Sequence, residues 1–107
     1  MEIKNIKKVE GFKNMHSIKK AGKILDKDYA QIIEMILEPE DYVKEHKTPV
    51  EVSFFIVKGS VDMKIGKEEK KVKSGDMIVS PKNIPHSFIN NYDEVSEVLV
   101  IKHMKTK

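Results

Sequence analysis

The strongest constraint on this chain is the spacing of its apolar runs. Short stretches rich in β-branched and aromatic residues return about every 8–12 positions, separated by proline, glycine, asparagine and aspartate. They read "YAQIIEMILEPE" from Tyr29, "YVKEHKTP", "VEVSFFIVKG" closed by Gly59, "SVDMKIG", "MIVSP", "PHSFIN" and "EVSEVLVIKHM". None sustains the 3.6-residue period of an amphipathic helix. In "SVDMKIG" the alternation is strict, with Val61, Met63 and Ile65 on one face and Asp62 and Lys64 on the other, as in a strand with one wet side. The rhythm predicts an all-β sandwich or barrel. "KEEKKVKSGD" reads as a polar connection, and Met35, Met63 and Met77 as core fillers on strands. "FKNMHSIKKAGKIL" fits either a helical turn or an irregular edge strand.

With 107 residues the chain has room for one domain, which buries roughly two-thirds of its unfolded surface and needs no covalent staple. The absence of cysteine excludes disulfides, thiolate metal sites and thiol nucleophiles. No apolar run approaches a membrane span or a signal-peptide core, so a cytoplasmic protein with no membrane partner is expected. The net charge of +3 comes from twenty lysines interspersed with seventeen acids, and there is no arginine. Without the planar guanidinium fork that reads guanine edges and phosphates, a nucleic-acid partner is not expected. No serine sits in a nucleophile elbow and no glycine-rich phosphate loop is present.

The stretch "SGDMIVSPKNIPHSFIN" resembles the second motif of the cupin family, G-x5-P-x-G-x2-H-x3-N. Gly75, Pro81, His86 and Asn90 occupy four of its five positions, and Asn83 stands where the third would be glycine. Asparagine is the non-glycine residue that most readily takes left-handed backbone, so that departure is mild. The family's first motif, G-x5-H-x-H-x3/4-E-x6-G, aligns without gaps on "EDYVKEHKTPVEVSFFIVKG". There His46 and Gly59 match, while Glu40, Thr48 and Val52 replace the leading glycine, the second histidine and the glutamate. The resemblance implies an all-β double-stranded β-helix, a jelly-roll barrel with a ligand site at one end. It gives a barrel over residues 29–107, preceded by an extension over 1–28 that packs on the barrel or on its partner. A homodimer is the family's habit, and the apolar strands "VSFFIV" and "EVLVIKHM" show more hydrophobic side chains than one face of a small barrel needs.

In metal-bearing cupins, iron, manganese, nickel or zinc is held by the two histidines and glutamate of the first motif and the histidine of the second. Here that leaves His46 and His86, with Glu51 as a third ligand only if a bulge turns it inward, since neighbours on a strand face opposite sides. Two functions follow. The first is a binding module with an incomplete metal site, whose barrel mouth, lined by His46, Thr48, Val52, Phe54, His86 and Phe88, takes a small polar molecule such as a sugar or organic acid. The second is a dioxygenase, isomerase or decarboxylase that uses a divalent metal on His46, Glu51 and His86. A structural alternative for His86 is a strand-start residue packed near Phe88. His16 and His103 carry no spacing argument. Glu97 shares a strand face with Val95, Leu99 and Ile101, which is read as lining the interior, where a carboxylate needs a partner.

Overall fold

In the computed structural model, which describes residues 1–5 and 19–104, the described chain forms nine antiparallel strands, seven of them from the apolar runs, and no helix occurs among the described residues. The strands are β1 (Lys20–Asp26), β2 (Ala30–Leu37), β3 (Tyr42–His46), β4 (Glu51–Lys58), β5 (Ser60–Ile65), β6 (Glu68–Lys73), β7 (Met77–Ser80), β8 (His86–Ile89) and β9 (Ser96–His103). They make a five-stranded sheet ordered β1-β2-β9-β4-β7 and a four-stranded sheet ordered β3-β8-β5-β6. Two facing antiparallel sheets with these crossovers are a jelly-roll, the double-stranded β-helix that the strand rhythm and motifs implied.

Alternation along each strand sends one side chain in two between the sheets. Ile33, Met35 and Leu37 on β2, Val52, Phe54 and Ile56 on β4, and Val98 and Val100 on β9 meet Val43, Val61, Met63 and Phe88 of the opposite sheet, and all are buried. The same alternation corrects the reading of Glu97. The inward residues of β9 are Val98 and Val100, so Glu97, Leu99 and Ile101 lie on the outer face. Met77 is likewise no core filler. Its β7 neighbour Ile78 pairs with buried Phe54, which leaves Met77 outward and 55% exposed.

One strand was not expected from the sequence, and another decides an open choice. β6, in the segment read as a polar connection, pairs only with β5, and its lysines and glutamates are the charges that shield a sheet edge from pairing with another chain. Of its side chains only Val72 packs against the core. β1 resolves the ambiguous N-terminal stretch as an edge strand with a register shift between Lys23 and Leu25, so the sheet begins at Lys20, inside the stretch read as an extension. His16 lies outside the described residues.

The turn residues of both motifs hold their expected backbone. Asn83 has φ 64° and Gly59 φ 74°. A Cβ at Gly59 would fall 2.7 Å from both Ser96 Oγ and Val95 O, so the position excludes a side chain on conformation and on space. Glu40, where the family motif has glycine, also takes φ 77°. It is held there partly by its N–H, which donates to Asn90 O at 2.7 Å. Asn90 is completely buried and ties three segments together. Its Nδ2 donates to Leu37 O (3.1 Å) and Glu94 O (2.8 Å), and its Oδ1 accepts from Tyr92 N at 2.9 Å.

Candidate functional site

One end of the barrel interior carries polar side chains in place of the aliphatic core. His86 opens β8 and is 2% exposed. His46 closes β3, where a register shift between Val43 and His46 sets three residues of β3 against two of β8. Without that bulge the two-residue period would carry His46 and His86 to opposite faces; with it, His46 pairs directly with His86. The bulge thus falls in the strand carrying His46 and not beside Glu51. Glu51 begins β4 opposite His103, exposed, on the face away from Val52 and Phe54, and so stands apart from the histidine pair.

The imidazole rings of His46 and His86 meet edge to face, with centroids 4.6 Å apart and their Nε2 atoms at 3.3 Å. Proton positions follow from their partners. His46 Nδ1 lies 2.9 Å from Lys44 O, and a carbonyl can only accept, so this nitrogen carries hydrogen. In neutral His46 the Nε2 is then a lone pair, to which His86 donates from its own Nε2. Thr48 Oγ1, also 3.3 Å from His86 Nε2, shares that hydrogen. His86 Nδ1 is left as an acceptor for the hydroxyl of fully buried Ser80 at 3.0 Å. A directed chain therefore runs from Ser80 through His86 and His46 to Lys44.

Phe54 packs edge-on against the His86 ring at 5.2 Å and against Phe88 at 5.5 Å, while Val52 seals the sheet beside them. This apolar casing has an electrostatic consequence: burial, reinforced by the charges of His46 and Lys102, lowers the His86 pKa to about 4. His86 is thus neutral at physiological pH. Lys102 pairs with Val52 and shares the inward face of β9 with Val98 and Val100. It was not anticipated, because the sequence reading placed the other face of β9 inside. Ser80 was missed too, since nothing in "MIVSP" marks a serine as a histidine partner.

Of the residues expected at the mouth, His46, Thr48, Val52, Phe54, His86 and Phe88 are thus brought together. His103 lies elsewhere, on the outer face, with Nε2 2.8 Å from Ser53 Oγ. As a metal site the donors fall short. Two Nε2 atoms at 3.3 Å are close enough to reach one ion at the usual 2.0–2.1 Å. However, the side-chain oxygen that hydrogen bonding brings to them here is Thr48's neutral hydroxyl, and no cluster of three ligating side chains exists among the described residues. Firm binding of iron or manganese usually takes three protein ligands.

Comparison with known proteins agrees with this architecture. The family model described as "Cupin domain" matches residues 33–102. An RmlC-like cupin family protein with a double-stranded β-helix fold from Methanocaldococcus jannaschii superposes with a TM-score of 0.76 at 24% identity, covering 94% of this chain and 93% of that one. The polyketide cyclase RemF from Streptomyces resistomycificus gives 0.83 at 19% identity (98% and 80%). A predicted oxalate decarboxylase from Thermotoga maritima gives 0.83 at 18% (96% and 100%). At these identities the likeness shows the fold alone. No curated protein matches the sequence.

Proposed function

The chain belongs to the cupin family, and from that premise we propose that it is a binding module whose barrel mouth takes a small organic acid without a firmly bound metal. The observation that carries this reading is the sign of the charge at the mouth. Beside burial, a permanent cation acts on His86: Lys102, whose charge lowers the His86 pKa and which shares the inward face of β9 with Val98 and Val100. A small anion is the complement of such a site: Lys102 supplies a point charge and the buried Thr48 hydroxyl a donor, beside the apolar wall of Phe54 and Phe88. Between the two ligand classes expected, this charge favours acids over neutral sugars.

Enzyme chemistry through His46, Glu51 and His86 is not supported, because Glu51 is on the outer face and cannot complete the set. The test is a panel of mono- and dicarboxylates and neutral sugars in thermal melts with EDTA, alongside elemental analysis of untagged protein. Acids should stabilise the protein, less so in Lys102→Ala, and well under one metal per chain should be found. Stoichiometric iron, manganese, nickel or zinc that disappears in His86→Ala would contradict it.

A further inference from the structure

A cleft of about 430 Å³ opens between β6 and β7, where the edges of the two sheets part beside the mouth. Its walls are apolar side chains, chiefly Met63, Ile65, Val72, Ile78 and Ile84, with Glu68 and Lys70 as its charged residues. Those two, an exposed ion pair at 3.2 Å, stand at the water side. The cleft adjoins the histidine site. Ile65 is the cross-strand partner of His86 and Met63 that of Phe88, while Pro81 on its rim follows Ser80, whose hydroxyl meets His86 Nδ1.

We propose that the cleft holds the aliphatic or aromatic arm of the ligand whose acid group sits at the mouth, so that the physiological ligand is an amphipathic carboxylate. This rests on the mouth reading above. Three observations lead to the arm. The volume falls within the 300–1,000 Å³ of small-molecule sites and is too small for a folded partner segment. The lining is apolar although the β6 edge that borders it is lysine- and glutamate-rich, so the charge is spent on the rim and withheld from the interior. Finally, Ile84 on the loop before β8 lines the cleft while 37% exposed, which continues the apolar wall out to the entrance.

The experiment is an NMR titration of ¹³C-methyl-labelled protein with acetate, butanoate, hexanoate and 3-phenylpropanoate, in wild type, Ile84→Glu and Lys102→Ala. Each buried methylene should tighten binding about threefold to fourfold until the cleft is full. The methyl signals of Ile78 and Ile84 should move with hexanoate and stay still with acetate. Ile84→Glu should abolish the chain-length gain while leaving acetate affinity within about twofold, and Lys102→Ala should weaken every acid by a common factor. Acids that bind with affinities within about twofold across the series, or a chain-length gain intact in Ile84→Glu, would overturn the cleft proposal and leave the mouth reading standing. Failure of every acid, acetate included, would overturn the mouth reading and with it this inference.

Discussion

Burial of neutral His86 makes a quantitative prediction about acid stability. In the unfolded chain the imidazole titrates near 6.5, and in the barrel near 4. Below pH 6.5 the unfolded state therefore takes up a proton that the folded state refuses. The stability that His86 contributes is fully present above pH 6.5 and is lost as the pH falls towards 4. At 1.36 kcal/mol per pH unit the full loss is about 3 kcal/mol, with roughly 2.5 kcal/mol gone by pH 4.5. Carboxylates also titrate in this range, so the measurement compares wild type with His86→Gln by urea unfolding from pH 7.5 to 4.5, where shared terms cancel. His86→Gln should be the less stable at pH 7.5, because it empties ring volume against Phe54 and leaves the Ser80 hydroxyl without its acceptor. That deficit should shrink by about 2.5 kcal/mol on acidification. Parallel stability curves would refute the argument that burial holds His86 neutral.

Other consequences are independent of that titration. Gly59→Ala should cost at least about 2 kcal/mol in chemical denaturation, since it strains a backbone at φ 74° and drives a methyl into Ser96 and Val95. Asn90→Ala should cost a comparable amount, because it empties a fully buried position and removes three hydrogen bonds, of which the one to Leu37 O is buried. On the outer sheet face, burial and buried Glu34 raise the Glu97 pKa. The strain of holding two carboxylates together is thus present at neutral pH and relieved as Glu97 protonates, so Glu97→Gln should stabilise the protein at pH 7.5 and lose that advantage on acidification. The same face carries Phe55, Leu99 and Ile101, with Val57, Met77 and Val79 exposed beside them, and is where a homodimer would form. Light scattering should give twice the 12.3 kDa chain mass, falling to one chain in Leu99→Lys.

The barrel was legible because its signals are local. Proline, glycine and asparagine mark chain reversals wherever they fall, and alternation in "SVDMKIG" assigns faces without tertiary context. β6 was not legible because an exposed edge strand needs hydrogen bonds more than apolar side chains. The site was half legible. Motif spacing found His46 and His86, but their meeting depends on a bulge between Val43 and His46, and no residue in "YVKEH" announces one. Lys102 illustrates a different limit. Its face is set by the pairing of β9 with both β2 and β4, and a run as apolar on both sides as "EVLVIK" does not declare which side is inward.

The central claim, that the mouth binds an acid through Lys102 and its own polar donors, is met most directly by calorimetric titration of EDTA-stripped protein with hexanoate. Saturable binding of one acid per chain is expected, with a Kd unchanged when EDTA is kept in the buffer. Binding that appears only after addition of manganese, iron, nickel or zinc would contradict it.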